Sequence, residues 1–214
     1  MKLIKGVVVA GLMAASSAAF AQTAILGAGN VGITTLQVSV SGNTITLFET
    51  WGSSGPGSIQ FSGLANGVNY TIVKNITNLT GSGWTSFANE LLPQGNGVPG
   101  QPAFIPPGFQ PSNDNDGLSF AQGSGLPRTS TIFGSLAVDE LAGRDYLDFS
   151  GGVWGTGVNG EMTFGLRDNG GNQPFLLFQR PNEFTSVVPV PAALPLLLSG
   201  LGIFGFLARR RNNA

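Results

Sequence analysis

Between residues 22 and 187 the dominant period of the apolar residues is two, a period that builds strands, and no stretch there reads as a long amphipathic helix. Leu36, Val38 and Val40 alternate with Gln37 and Ser39. Ser41-Gly42-Asn43-Thr44 then supplies turn chemistry, and Ile45 to Trp51 continues as the partner strand of a hairpin. The same pattern predicts strands over 58–61, 70–74, 84–92, 131–136, 146–149, 161–166 and 174–178. Nine short strands joined by Gly- and Asn-rich turns predict an all-β chain, specifically an antiparallel β-sandwich of jelly-roll-like or Ig-like kind. Met162, Phe164 and Leu166 are expected to face inward, opposite Glu161, Thr163 and Arg167. Asp168-Asn169-Gly170-Gly171-Asn172 is expected to turn the chain into Pro174 to Phe178 as a second hairpin.

Composition removes much catalytic chemistry. The 214 residues contain no Cys and no His, so a Ser-His-Asp or Cys-His nucleophile, a zinc site built on those residues and a disulfide framework are all excluded. Carboxylate pairs are the catalytic chemistry that stays open. The charges are segregated: between residues 22 and 187 five Lys or Arg face all eleven Asp and Glu, and the other five bases lie at the two ends. An interior of that sign gives no basis for a nucleic-acid partner.

The basic ends read as membrane signals. Lys2 and Lys5 form a positive n-region, Gly6 to Ala15 an apolar h-region, and Ala19-Phe20-Ala21 a small-residue cleavage site before Gln22. Residues 1–21 are thus expected to be a signal peptide helix that uses the Sec translocon, with mature protein starting at Gln22. At the other end Val188-Pro189-Val190-Pro191 precedes the uncharged stretch Ala192 to Ala208 and the run Arg209-Arg210-Arg211. Seventeen helical residues reach about 25 Å, the short end of what crosses a bilayer. The arginines are expected to stay cytoplasmic and leave the domain before them outside.

This C-terminal arrangement resembles the PEP-CTERM sorting signal of Gram-negative bacteria in its Val-Pro-x-Pro-Ala variant, here Val188, Pro189, Val190, Pro191 and Ala192. The likeness runs through Ala193-Leu194-Pro195-Leu196-Leu197-Leu198-Ser199-Gly200-Leu201-Gly202 into the basic cluster and covers residues 188–214. It implies that an exosortase, a membrane enzyme, recognises and removes the tail, so this chain is the substrate. It also implies association with extracellular polysaccharide or a biofilm matrix. Val190 stands where the eponymous motif has Glu, which implies a different subtype of processing enzyme. The prolines fix φ near −65° and hold this segment extended before the helix. The stretches 70–81 and 168–178 loosely resemble passages of the β-rich bodies of such sorted proteins.

Three clusters in the body invite a functional reading. The stretch Pro93 to Gly117 holds 6 Pro and 5 Gly in 25 residues and is expected to be a surface excursion or flap, partly mobile. Within it Ser112-Asn113-Asp114-Asn115-Asp116-Gly117 is expected to be an Asx-turn cluster. The alternative is a calcium loop with Asp114 and Asp116 as ligands, although a closing Glu is missing because the twelfth position is Gly123. Asp139, Glu140, Asp145 and Asp148 put four acids within ten residues around Arg144. An ion-paired loop is expected there, with a hydrolytic pair or a metal site as the alternative. Trp51, Trp84 and Trp154 are expected in the core or packed on turns rather than stacked on sugars. The expected function is that of an exported, non-enzymatic surface or matrix protein without cofactor. The alternatives are a calcium-dependent or carbohydrate-binding surface module and a carboxylate-only hydrolase.

Overall fold

The chain builds two sheets of six strands each, shown by a computed structural model that describes residues 22–97, 101–139 and 144–182. In chain order the strands are β1 (Thr23–Leu26), β2 (Ile33–Ser41), β3 (Thr44–Trp51), β4 (Gly57–Ser62), β5 (Asn69–Asn78) and β6 (Trp84–Pro93). They continue as β7 (Leu118–Ser119), β8 (Thr129–Ser130), β9 (Ser135–Asp139), β10 (Tyr146–Trp154), β11 (Asn159–Asp168) and β12 (Phe175–Pro181). None of the described residues is helical. The first sheet runs β1-β4-β12-β6-β10-β9, with every neighbouring pair antiparallel. The second runs β2-β3-β5-β11-β7, and β8 also pairs with β11.

The predicted hairpin is β2–β3, with Ser41 opposite Thr44. Gly42 takes φ 55°, the left-handed conformation that a two-residue turn opening on Gly requires. Two expectations about connectivity are corrected. First, β3 and β5 are parallel, with Leu47 opposite Lys74, so the second sheet is mixed. The intervening β4 belongs to the first sheet, and the crossover through it returns the chain beside β3 in the same direction. Second, β11 and β12 are not a hairpin, because they lie in different sheets. The Asp168 carboxylate holds this link by accepting hydrogen bonds from Gly170 N (3.0 Å), Asn172 N (3.0 Å) and Gln173 Nε2 (3.2 Å).

The predicted strand over 131–136 is likewise divided. Its surroundings supply β8 to the second sheet and β9 to the first, and Ser130 Oγ accepts from the amides of Ile132 and Phe133 (3.1 Å each) where the chain changes sheet. The short strands β1 and β7 lay outside the expected set.

Both sheets contribute to one buried cluster. Trp51 of the second sheet meets Trp84 and Phe87 of the first edge-on, each at 5.4 Å between centroids. Trp84 touches Trp154 at 5.9 Å, and Phe133 closes on Trp154 at 5.9 Å. All three tryptophans are fully buried, and such edge-to-face pairs add about 1 kcal/mol each to the burial of their area. Their size demands small neighbours: a Cβ built at Gly57 or Gly32 would overlap the Trp51 ring. Met162, Phe164 and Leu166 face this core, as their spacing predicts. Thr163 is also buried, because the chain after β7 covers the outer side of β11, where a Cβ on Gly165 would strike Ala121.

The excursion over 93–117 is not a free flap in its described part. Ile105 and Phe109 pack on Leu92, Leu176 and Phe178, a second small core on the outer face of the first sheet. Backbone bonds from Gln110 N to Pro93 O (3.1 Å) and from Gly95 N to Gly108 O (3.0 Å) tie its two limbs together. Irregular chain stays here because it buries apolar area and satisfies its own amides.

Candidate functional site

Alternation along β3 sends Ile45, Leu47, Glu49 and Trp51 inward and Thr46, Phe48 and Thr50 outward. Register then lines up outward side chains across four strands. Gln37 pairs with Phe48, Phe48 with Asn75, and Asn75 with Glu161. Beside that row runs a second, in which Thr35 pairs with Thr50, Thr50 with Thr77, and Thr77 with Asn159. The two rows floor an open depression of about 720 Å³. Phe48 is 46% exposed within it. An exposed ring among amides and hydroxyls can stack on an apolar face while its neighbours exchange neutral hydrogen bonds. Glu161 is the one carboxylate that this floor presents, since the Glu49 side chain points to the core.

The inward faces of the same strands carry a buried polar cluster. Glu49 and Lys74 are both fully buried, with Lys74 Nζ 3.5 Å from Glu49 Oε1. Lys74 donates to Asn89 Oδ1 at 3.1 Å and makes a short hydrogen bond to Gln179 Oε1. Trp51 Nε1 donates to Glu49 Oε2 at 3.0 Å, and the ammonium lies 4.5 Å above the Phe87 ring. Burial lowers the Lys74 pKa from 10.5 to about 8 against the opposing pull of Glu49. Burial likewise raises that of Glu49, with Lys74 opposing. Both shifts favour the uncharged forms.

The outer face of the first sheet carries a different set. Glu90 is fully buried between two guanidiniums: Oε1 meets Arg144 at 2.7 Å and Oε2 meets Arg180 at 2.8 Å. The Arg180 guanidinium lies 4.0 Å from the Phe104 ring centre. Asp148, 4% exposed, has its pKa raised to about 6 by burial, with Arg180 pulling the other way.

The acid cluster around Arg144 is thereby dispersed. Arg144 pairs with Glu90 of β6, 54 residues away in sequence. Asp145 is buried and accepts a short hydrogen bond from Ser112 Oγ, while Asp148 lies on β10. Glu140 and the Asp139 side chain lie outside the described residues. In the 112–117 loop Asp116 caps the turn, accepting from Asn113 N (3.0 Å), Leu118 N (2.8 Å) and Ser112 Oγ (3.1 Å). Asp114 is exposed and accepts from Asn115 Nδ2 at 3.2 Å. The two candidate calcium ligands thus occupy different settings, and among the described residues no group of three such side chains could hold an ion.

Gln22 is described and donates to the Tyr70 hydroxyl at 3.1 Å. The rest of the signal region, including Ala19 and Ala21, lies outside the described residues. So do the motif Val188 to Ala192, the apolar stretch 192–208 and Arg209 to Arg211. No helix among the described residues is long and apolar enough to cross a membrane. The buried Glu49–Lys74 and Glu90–Arg180 groups were not anticipated, although a charge at every-second-residue spacing on an apolar face, as in Ile45-x-Leu47-x-Glu49-x-Trp51, is a legible signal. Set against known family models, curated proteins and solved structures, the chain matches none.

Proposed function

We propose that this chain is the precursor of an exported, non-enzymatic surface or matrix protein, sorted by an exosortase-like membrane enzyme and associated with extracellular polysaccharide. Its body is a β-sandwich whose second sheet is mixed. The observation that carries the reading is the order of features in the tail: Val188-Pro189-Val190-Pro191-Ala192, an uncharged stretch of bilayer length, then three arginines, on a chain whose residues 1–21 have the sequence pattern of a signal peptide. In a host with the processing enzyme, protein recovered from the surface or medium is expected by mass spectrometry to begin at Gln22 and to lack Arg209 to Arg211. Changing Pro189 and Pro191 to Ala is expected to leave full-length precursor in the membrane. Surface protein that retains the three arginines overturns the reading.

The carbohydrate-binding alternative has a specific support in the row Gln37, Phe48, Asn75 and Glu161, which offers one stacking ring and neutral hydrogen-bonding groups to a polyhydroxy chain. The test is affinity electrophoresis in gels containing the host's own polysaccharide. Phe48→Ala is expected to weaken retention about tenfold, equivalent to about 1.4 kcal/mol. Equal retention of the wild type and the variant removes this face as the site.

A further inference from the structure

We propose that Lys74 condenses with one of the two carboxamides facing it, Asn89 or Gln179, to form an isopeptide bond between the two sheets with release of ammonia. Lys74 stands on β5 of the second sheet, whereas Asn89 on β6 and Gln179 on β12 belong to the first. All three side chains, with Glu49, are excluded from solvent. The amine already touches both carboxamide oxygens, which puts each carbonyl carbon one bond beyond the contact. Holding amine and amide together in a dry cavity supplies the proximity that an uncatalysed amide exchange lacks.

The cluster makes poor sense as a finished hydrogen-bond network. Asn89 Nδ2 and Gln179 Nε2 are buried without a hydrogen-bond partner in good geometry, and Glu49 Oε1 has only the 3.5 Å contact with the Lys74 ammonium. Orphaned groups of this kind are costly and call for an explanation. Condensation removes one of them, because the amide nitrogen that lacks a partner is the one that leaves.

Glu49 is placed to move the protons. Transfer from the Lys74 ammonium to its carboxylate gives a neutral amine and a neutral acid, the direction in which burial drives both groups. The amine nitrogen attacks the carboxamide carbon, and a new C–N bond forms. Glu49, now the neutral acid, gives its proton to the departing nitrogen and takes one from the attacking nitrogen. The original C–N bond breaks, ammonia leaves, and the carboxyl group is again the neutral acid it was when the amine attacked. No oxidant or external reactant is consumed. Trp51 Nε1 holds the carboxyl group in place through Oε2. The product is a covalent staple in a chain that has no cysteine with which to make a disulfide.

Mass spectrometry of the purified full chain tests this. Cyclisation of an N-terminal Gln22 also releases ammonia, so the loss must be located in a fragment. Cleavage after Glu49 and Glu90 yields one fragment, 50–90, that holds both Lys74 and Asn89. A bond to Asn89 makes this fragment lighter by one ammonia and resistant to trypsin at Lys74. A bond to Gln179 instead joins it to fragment 162–183, also with loss of one ammonia. Either outcome supports the proposal and identifies the acceptor. Glu49→Gln removes the first of these cleavage sites and is therefore read with trypsin alone: the cut after Lys74 is expected to return, and peptide 75–128, which holds Asn89, to have its unmodified mass. A wild-type fragment of unmodified mass that trypsin cuts after Lys74 overturns the proposal, whether or not the variant folds. So does a loss of water from a fragment that stays uncut at Glu49, which would mean condensation with Glu49 itself.

Discussion

Two carboxylates on neighbouring layers, Glu49 and Glu90, are both fully buried beside cations, yet their surroundings set them different tasks. Glu90 sits on the outer face of the first sheet between two guanidiniums, one of which, that of Arg144, is 25% exposed. Arginine keeps its charge under all ordinary conditions and presents several donors, so each oxygen of this carboxylate meets a permanently charged partner. Glu49 sits between the sheets among Trp51 and Phe87 and has one cation, an amine that gives up its proton when desolvated. The outer cluster is therefore an ionic clamp, and the inner one is a reactive pair. What separates them is the choice of Arg or Lys and the path to solvent, since both clusters use Glu.

The largest effect is expected from breaking the clamp. Glu90→Ala takes away the carboxylate that meets the buried Arg180 guanidinium at 2.8 Å and is expected to cost about 3 kcal/mol of stability in denaturant unfolding. A loss below about 1 kcal/mol would show that the outer cluster behaves as an exposed pair, and the contrast with Glu49 would lose its basis.

How far this contrast was legible beforehand differs between the two faces. Strand alternation reveals the inner cluster to anyone who follows it past the apolar residues: Tyr70-x-Ile72-x-Lys74-x-Ile76 places Lys74 on the core side as surely as Ile45-x-Leu47-x-Glu49 places Glu49. The β2–β3 hairpin and the inward set Met162, Phe164 and Leu166 were legible for the same reason. The outer cluster was not, because Glu90, Arg144 and Arg180 meet only after β6 is flanked by β10 and β12, and that pairing is a property of topology. The parallel β3–β5 pair and the separation of β11 from β12 were hidden likewise. Turn residues show where a chain bends but do not say whether it returns to the same sheet.

A smaller effect sharpens the comparison through pH. In Glu49→Gln the Lys74 side chain is expected to remain a free, buried amine. Its folded pKa lies below its ordinary 10.5, at about 8 with Glu49 present and lower without it. Between those values the unfolded chain binds the proton that the folded chain does not, so stability rises with pH, by on the order of 2 kcal/mol across the window. Wild-type protein with Lys74 in an amide has no such group to titrate. The difference between the two proteins from about pH 8 to 10.5, followed by urea unfolding, isolates the term. Parallel curves would mean that the amine is free in both, and the inner cluster would then be an ordinary ion pair.

The smallest effect concerns Asp148, which lies beside the clamp without belonging to it. Its Oδ1 is buried with no hydrogen-bond partner, and Arg180 offsets only part of the cost of burial, so its pKa rises from 3.8 to about 6. In that interval the folded chain holds a proton that the unfolded chain has released, and stability therefore falls as pH rises from about 4 to about 6. Asp148→Asn keeps the shape and removes the titration. The variant is expected to lose this slope and to be more stable than wild type at pH 7, by on the order of 1 kcal/mol once solvent screening is allowed for. The sign carries the information: a carboxylate inside the clamp would be held ionised, and its replacement would destabilise the protein at pH 7. Urea midpoints of the two proteins at pH 4 and pH 7 decide between these cases. A variant less stable than wild type at pH 7 would place Asp148 among the charges that hold Arg180, and would extend the clamp from three residues to four.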